Sequence, residues 1–372
     1  MIIEKPTLII KKEQVISNIK KMIEKAEKSD VQFRPHFKTH QSAEIGNWFK
    51  DLGVNTITVS SVEMAEYFAK NGWNNILIAF TVNILQIDRI NKLAKKVQLG
   101  LLIDSEETLD FLLKNIQEPV TVWLKIDTAY HRTGIIWDNE PIISKLIRSI
   151  KKSERLKFGG LLTHSGHTYK TKSKTEIEEI YEDTISKLLN IKERLMLQGF
   201  GLVKISIGDT PTCSIINDFT GIHDIRPGNF VFYDLTQLHL GSCMEDEISV
   251  ALACPVVAKY PERNEFVIYG GAIHLSKDNL KLENDVVSYG AIALPEGKYW
   301  GKILNNVYVK SLSQEHGIIK ADKKFIEKLT IGDLVYIIPV HSCLTADLMK
   351  EYYTSDGLRI TMMAPFCEKR EG

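Results

Sequence analysis

The feature that most constrains the fold is a regular alternation of short apolar runs with amphipathic segments through the first two-thirds of the chain. Eight such runs are present, at residues 31–35, 55–60, 75–80, 97–104, 120–127, 157–166, 202–208 and 223–227. The segments between them repeat apolar residues every three or four positions, which is typical of helices that cover a sheet. Strands that alternate with helices form parallel sheets, and near-continuous apolar runs indicate strands buried on both faces.

Eight strand–helix units in residues 11–240 predict a closed (β/α)8 barrel of the TIM type. An open doubly wound sheet is the alternative, but no G-x-G-x-x-G motif follows a strand, so dinucleotide binding has no support. After residue 240 helical periodicity nearly vanishes, and strand-like runs follow at 248–260, 265–271, 285–294, 305–312 and 333–340. We therefore predict a mainly-β domain over 241–372, joined by the strand-like N-terminal segment 1–10.

The charge balance argues against some classes of partner. The chain has 47 Lys+Arg and 47 Asp+Glu residues, so its formal net charge of zero predicts no attraction to nucleic acid or to an anionic membrane. No run approaches the roughly 20 apolar residues of a membrane helix, and the charged N-terminus does not resemble a signal peptide. The five cysteines form no C-x-x-C pair, which favours a reducing, cytoplasmic location over a disulfide framework.

Polar residues cluster directly after the predicted barrel strands. They follow strand one at 36–40, strand five at 127–134, strand six at 164–169, strand seven at 208–212 and strand eight at 226–229. In such barrels the carboxyl ends of the strands share the face on which active sites are built, and the last two loops commonly hold phosphate. The sequence therefore predicts an anion-binding active site on this face.

Lys38 is the candidate nucleophile at the end of strand one. A lysine at the end of a buried strand is expected to be partly desolvated, which lowers its pKa and makes the amine nucleophilic. A Schiff-base lysine facing a phosphate site would fit this arrangement. The alternative is an ordinary loop lysine paired with an acid, and a structural role is also open for the flanking His36 and His40.

A second candidate site lies in PVHSCLT (339–345). On an extended segment residues i and i+2 point the same way, so His341 and Cys343 could share one metal ion. Imidazole with thiolate suits zinc, and two protein ligands would leave positions open for water or substrate. The structural alternative is a buried cysteine beside a hydrogen-bonded histidine.

Six motifs together resemble the D-serine dehydratase and D-threonine aldolase-like family of pyridoxal-phosphate (PLP) enzymes, which has the alanine-racemase-type fold. They are RPHFKTH (34–40), KIDTAYHRTG (125–134), HSGHTY (164–169), GDTPT (208–212), IRPGNFVFYD (225–234) and PVHSCLT (339–345). The resemblance runs nearly end to end, in the same motif order. It implies a PLP-dependent lyase that acts on a small D-amino acid, and it implies a homodimer.

The resemblance also implies roles for individual residues. Lys38 carries the cofactor and removes the Cα proton, while Arg132 faces either the ring oxygen of PLP or the substrate carboxylate. Tyr169 lies near the pyridine nitrogen. The phosphate is held by Thr210, Gly228 and Asn229, together with Thr212, and His341 and Cys343 bind a divalent metal, with zinc as the expected ion.

The metal pair bears on the reaction. Aldolase members of the family usually show His-x-Asp, whereas dehydratases of D-serine or D-3-hydroxyaspartate show His-x-Cys, so His341-Ser342-Cys343 favours a dehydratase. Aldolase, racemase and non-catalytic PLP-binding protein are the alternatives. The sequence departs from the family pattern at two places. Asp209 replaces a small residue in the phosphate loop, and its side chain should point away from the phosphate. The segment YGGAIHLSKD (269–278) differs from the usual D-A-G form, which leaves the identity of the substrate open.

Overall fold

The structure is a computed structural model that describes residues 2–282 and 285–364. The described chain divides into two compact units. One comprises the residues up to Ile19 together with Asn229–Ala364, and the other comprises Lys20–Gly228. The sequence predicts a domain boundary at residue 240, whereas the boundary between the two compact units lies between Gly228 and Asn229. Cys367, counted among the five cysteines, lies outside the described residues.

The chain starts with strand β1 (Thr7–Ile10) and helix α1 (Lys12–Lys28). The strands that follow, in the second unit, are β2 (Gln32–Phe33), β3 (Ile57–Val59), β4 (Asn75–Thr81), β5 (Gln98–Ile103), β6 (Val120–Asp127), β7 (Ile135–Ile136), β8 (Leu156–Leu162), β9 (Ile205–Ile207) and β10 (Asp224–Ile225). They pair in parallel in the order β2-β10-β9-β8-β6-β5-β4-β3, with β7 attached to β6 alone. A parallel bridge between His36 and Thr58 joins the two ends. The predicted (β/α)8 barrel is therefore confirmed.

Helices cover this barrel between its strands, as the apolar periodicity predicts. They are α2 (Ala43–Asp51), α3 (Val62–Lys70), α4 (Ile87–Ala94), α5 (Glu106–Asn115), α6 (Glu140–Lys151), α7 (Lys174–Leu197) and α8 (Thr210–Ile215). Inside the barrel Leu77, Leu102, Trp123 and Leu162 form one buried apolar cluster. Some predicted strands are too long: the run 157–166 is a strand only to Leu162, and its polar end lies in a loop and a short 3-10 helix, Gly166–Lys170.

The other unit is mainly β, as predicted. Its further strands are β11 (Val250–Tyr260), β12 (Glu265–Tyr269), β13 (Leu280–Lys281), β14 (Val287–Ser288), β15 (Gly290–Glu296), β16 (Tyr299–Leu312), β17 (His316–Lys320), β18 (Leu334–Pro339), β19 (Glu351–Tyr353) and β20 (Arg359–Thr361). Antiparallel pairing in the order β12-β17-β16-β15-β18-β11 returns to β12 and closes a six-stranded barrel. β1 pairs antiparallel with β11, Leu8 lying opposite Leu252.

Four short α-helices follow residue 228 in the described part of this unit. They are α9 (Leu235–His239), α10 (Ala272–Leu275), α11 (Lys323–Lys328) and α12 (Ser342–Met349). Helix α12 begins three residues after β18 ends, and both candidate metal ligands lie at this junction. Within the described residues, no helix of either unit has the length and apolar character needed to cross a membrane.

Candidate active site

Most of the predicted cofactor residues lie beyond the carboxyl ends of the parallel barrel strands. Lys38 follows β2, Arg132 follows β6, Tyr169 follows β8, Thr210 and Thr212 follow β9, and Gly228 follows β10. Parallel strands end at the same face of a barrel, so one face carries all six residues. Asn229, His341 and Cys343 belong to the mainly-β unit.

Lys38 is carried by a loop that a buried aromatic residue anchors. Phe37 is fully buried, with ring centroids 4.9 Å from Phe49 and Phe68 and 5.0 Å from Trp73. The backbone N–H of Lys38 donates to Nδ1 of His36 at 3.3 Å. The Lys38 side chain itself is exposed, so the expectation of partial desolvation was wrong. The position of the Lys38 backbone is therefore fixed by the packing of Phe37 and not by burial of the lysine side chain.

Positive charge surrounds Lys38. The pKa of His36 lies well below its ordinary value because of burial, followed by the nearby charges of Lys38 and Arg226. The pKa of His164 is also well below its ordinary value because of burial and then the charges of Lys125 and Lys38. Two imidazoles whose charged forms are disfavoured thus lie near three basic side chains, Lys38, Arg226 and Lys125. Such a field favours an anionic cofactor and an amino acid carboxylate.

Lys125 was missed at the sequence level. It is 6% exposed, and burial first, then the charges of Arg226 and Arg132, lower its pKa to about 7. Side chains alternate along a strand, so Lys125 shares the inner face of β6 with Trp123, a member of the apolar cluster inside the barrel. The sequence signal for Lys125 is its position two residues after Trp123, which places both side chains on the same face of the strand.

Arg132 lies in a loop that Asp127 organises. Oδ1 of Asp127 accepts from the backbone N–H groups of Ala129 and His131, both at 3.0 Å. Its Oδ2 lies 3.0 Å from Nδ1 of His131. The guanidinium of Arg132 is exposed and lies over the ring of Tyr130, 5.0 Å from its centroid. The loop is therefore fixed at its base, and the cation projects from its far end.

The loop after β9 fits a phosphate. Thr210 and Thr212 are buried, at 0% and 2% exposed, and their hydroxyl oxygens have no hydrogen-bond partner among the described residues. Buried hydroxyls without partners are costly, which indicates that a ligand group completes them. Tyr169, which we expected beside the pyridine nitrogen, accepts a hydrogen bond on its hydroxyl from the backbone N–H of Thr210 at 3.1 Å.

The acidic residue in this loop is used for helix capping. Oδ1 of Asp209 accepts from the backbone N–H of Thr212 at 2.8 Å and from Oγ1 of Thr168 at 3.0 Å. Burial raises the pKa of Asp209 to about 6. The carboxyl group is thus turned onto the first turn of α8 and is less readily ionised than an exposed aspartate.

Gly228 allows a close approach of backbone to the Lys38 loop. A Cβ atom at this position would lie 3.0 Å from the carbonyl oxygen of His36 and 3.2 Å from Oγ1 of Thr39. Either contact is tighter than ordinary packing, so a larger residue would push the two loops apart. The glycine therefore keeps the loop after β10 close to the start of the loop that carries Lys38.

Asn229 is committed to the mainly-β unit. Its amide Nδ2 donates to Oδ2 of Asp234 at 2.7 Å, to Oγ of Ser342 at 3.0 Å and to Sγ of Cys343 at 3.4 Å. We expected this residue to hold phosphate, but the amide nitrogen instead supports the segment that carries the candidate metal ligands. If Asn229 contacts the phosphate, it would do so through a group other than its side-chain amide nitrogen.

His341 and Cys343 do meet, but not on an extended segment as we expected. His341 immediately precedes α12 and Cys343 lies in its first turn. Nδ1 of His341 lies 2.8 Å from Oδ2 of Asp278. Burial alone would lower the pKa of His341, but hydrogen bonds with Asp278 and Cys343 raise it to about 11. The imidazole and the sulfur therefore converge on one spot.

This donor set fits a soft-to-borderline divalent metal. Imidazole and thiolate suit zinc, and metal-binding histidines commonly bond a carboxylate through their other ring nitrogen, as His341 does with Asp278. Among the described residues no group of three or more His, Cys, Asp or Glu side chains has the arrangement of a metal site. Asp278 was missed at the sequence level, although it ends the divergent YGGAIHLSKD segment.

Two family models match the sequence, one over the barrel unit with short flanking segments and one within the mainly-β unit. The alanine racemase N-terminal domain matches residues 10–235, and the serine dehydratase domain matches residues 249–355. The matches define the class of protein: an alanine-racemase-type barrel joined to a dehydratase-type β domain. The chain belongs to the D-serine dehydratase family, and the resemblance noted in its motifs is confirmed.

Individual relatives support this placement. The D-serine dehydratase of Dictyostelium discoideum is 30% identical over 94% of this chain and 92% of its own length. The D-threo-3-hydroxyaspartate dehydratase of Delftia sp. HT23 is 24% identical, with a structure of TM-score 0.90 that covers 98% of both chains. Another structure of it is a cysteine-to-alanine variant in the metal-free form. D-threonine aldolase from Filomicrobium marinum, 19% identical, has a TM-score of 0.78 over 96% of this chain and 94% of its own.

Proposed function

We propose that this chain is a PLP-dependent, metal-assisted dehydratase of D-3-hydroxy amino acids, with D-serine as the leading substrate. The observation that carries the proposal is the convergence of His341 and Cys343 in a chain whose barrel face holds Lys38 and the Thr210 loop. The reaction would convert D-serine to pyruvate and ammonia.

The barrel residues would bind the cofactor and move the Cα proton. The buried hydroxyls of Thr210 and Thr212 would donate to the phosphate, together with backbone near Gly228. Bound PLP supplies an electron sink for the charge left at Cα. The Nζ of Lys38 would hold the cofactor and then, displaced by the substrate amine, take the proton from Cα. Arg132 would orient either the ring oxygen or the substrate carboxylate.

The residues of the β unit would hold a divalent metal, which we propose is zinc. A zinc ion supplies Lewis acidity that helps a 3-hydroxyl leave. His341 and Cys343 would be its protein ligands, and Asp278 would fix the imidazole through Nδ1. Asn229, whose amide lies 3.4 Å from Sγ of Cys343, would steady the thiolate. Hydroxide is a poor leaving group, so we expect the metal to be required for activity.

An aldolase is the second candidate, because Cα–Cβ cleavage could use the same lysine and a similar metal. The sequence of the metal pair favours a dehydratase, and a curated aldolase relative, the D-threonine aldolase of Arthrobacter sp., matches over only 62% of this chain. A homodimer and a reducing, cytoplasmic location are further parts of this proposal, carried by the family resemblance and the cysteine pattern.

Product analysis tests the proposal. The purified protein, loaded with PLP and zinc, is incubated with D-serine, D-threonine and D-3-hydroxyaspartate, and 2-oxo acid, ammonia and glycine are measured. We expect 2-oxo acid and ammonia from D-serine, and loss of both products after chelation that leaves PLP bound. Glycine from D-threonine, without 2-oxo acid from any substrate, would establish the aldolase instead.

A further inference from the structure

The amino ends of the barrel strands border two adjoining cavities that open to solvent, of about 370 Å³ and about 690 Å³. They share Gln98, Leu99, Thr121 and Lys157 as lining residues, and we refer to them together as the amino-end cavity. Most of the lining residues lie in the first half of a strand or directly precede one, although Arg34 directly follows the two-residue strand β2 and Lys95 and Lys96 follow α4. Lys38 and the Thr210 loop lie beyond the carboxyl ends of the strands. The amino-end cavity therefore lies at the opposite end of the barrel from the proposed active site.

An apolar layer separates the two ends. Thr121 and Trp123 line the amino-end cavity, and Trp123 packs with Leu77, Leu102 and Leu162 in the buried cluster inside the barrel. Alternation along β6 places Lys125 on the same inner face, on the other side of that cluster. The cluster thus separates the amino-end cavity from the cationic residues around Lys38, so a ligand there would occupy a distinct site.

The lining of the amino-end cavity is strongly basic. It includes Arg34, Lys157, Lys204 and His223 in the smaller part and Lys95 and Lys96 in the larger part. Among the described residues that line it, none is aspartate or glutamate. The chain as a whole has a formal net charge of zero, so this one-sided lining is a local feature and not a consequence of overall composition.

Among the lysine and arginine side chains of this lining, Arg34 is the one that forms an ion pair within the described residues. Arg34 is 8% exposed, its Nε lies 3.5 Å from Oδ2 of the buried Asp224, and its Nη1 donates to Oδ1 of Asn75 at 2.8 Å. Lys157 and Lys204 are exposed, and in the described part of the chain neither forms an ion pair with a carboxylate. Their charges remain available to a ligand.

The charges of Lys204 and Arg34 both act on His223, which lines the same cavity. Burial lowers the pKa of His223, and the charge of Lys204 lowers it further; Asp224 opposes this shift, and Arg34 adds to it. Neutral polar side chains, Asn75, Gln98 and Thr121, line the same space. A recess with converging positive charge, neutral hydrogen-bonding groups and no lining carboxylate is complementary to an anion of two or more charges.

We propose that the amino-end cavity binds a small multivalent anion, carrying either phosphate or carboxylate groups. The test uses PLP-loaded protein, so that the Thr210 loop is already filled, in a buffer of low ionic strength, because screening weakens exposed charges. Calorimetric titrations are made with inorganic pyrophosphate, with citrate and with acetate as the monovalent comparison. We expect saturable binding of pyrophosphate, of citrate or of both, and at least about tenfold weaker binding of acetate.

The key variant is Lys157→Glu/Lys204→Glu, which changes two exposed side chains and should leave the fold intact by circular dichroism. We expect it to weaken binding of the multivalent anion at least about tenfold. The matched control, Lys281→Glu/Lys324→Glu, makes the same change of net charge on exposed residues of the other unit and should retain the affinity. Absence of saturable binding by both multivalent anions, equal binding of acetate, or equal loss in the two double variants would overturn the proposal.

Discussion

Nδ1 of His341 lies 2.8 Å from Oδ2 of Asp278, and the two residues are 63 positions apart in the sequence. The hydrogen bond ties the segment before α12 to the divergent segment 269–278. It fixes one ring nitrogen of the imidazole and so selects the other for a metal ion. Asp278 is therefore a positioning residue for the proposed metal site.

Substitution of Asp278 should weaken metal binding without removing the cofactor. We expect Asp278→Asn to lower zinc affinity about 10- to 100-fold, because the imidazole loses its orienting carboxylate. Competition with a zinc-binding dye measures this affinity on PLP-loaded protein. Asp246→Asn, at an exposed aspartate of the same unit, is the matched control. Unchanged zinc affinity in Asp278→Asn would show that His341 needs no such support.

Substitution of Lys38 should remove both the covalent cofactor and the base. We expect Lys38→Ala to lose the visible absorbance of covalently held PLP and to reduce turnover of D-serine by about 10³-fold or more. Lys28→Ala, at an exposed lysine at the end of α1, should keep both properties. The central assignment fails if the absorbance band of Lys38→Ala matches that of the unmodified protein.

The hydroxyls of Thr210 and Thr212 should matter for the cofactor and little for the empty fold. The buried Thr210 hydroxyl has no hydrogen-bond partner among the described residues, so Thr210→Val should leave the stability of the cofactor-free protein equal or higher, whereas Thr212→Val should lower it slightly because the Thr212 hydroxyl interacts with the Asp209 carboxyl group. The same changes should weaken PLP binding about tenfold each, since a hydrogen bond to a charged phosphate is lost. Spectroscopic titration with PLP and urea unfolding measure the two effects, with Thr175→Val as the control.

Asp209 should make stability depend on pH. Its pKa is raised to about 6 by burial, so between about pH 4 and pH 6 the folded state holds a proton that the unfolded state has lost. The stability contributed by this protonated form is lost as pH rises through 6. Asparagine also caps helices, so Asp209→Asn should keep the cap and avoid the ionisation.

The measurement compares urea unfolding of cofactor-free protein at pH 5 and pH 7.5. The free energy of unfolding of Asp209→Asn, relative to the unmodified protein, should rise by about 1 kcal/mol between these two values. Asp110→Asn, at an exposed position of α5, should show no such change. A relative stability that stays constant with pH would mean that Asp209 is not destabilised as a charged group.

The sequence pattern predicted where site residues lie along the strands better than it predicted the exposure and contacts of their side chains, which depend on tertiary packing. Lys38 was placed at a strand end correctly, but its exposure depends on how Phe37 packs and was predicted wrongly. Lys125 lies inside β6, and the apolar run 120–127 predicts a buried strand without indicating that this lysine faces the site. The side chains of His341 and Cys343 do interact, but at the start of a helix and not on the extended segment that the sequence predicts.

The sequence alone determined the alternation of strands and helices, the face on which polar residues follow the strands, and the order of motifs that marks the family. These are local properties, since side-chain periodicity and strand direction depend on neighbouring residues. Tertiary structure decided which distant groups meet: Asp278 with His341, Tyr169 with Thr210, and the basic residues of the amino-end cavity. Such contacts depend on how separate segments pack, which no single segment encodes.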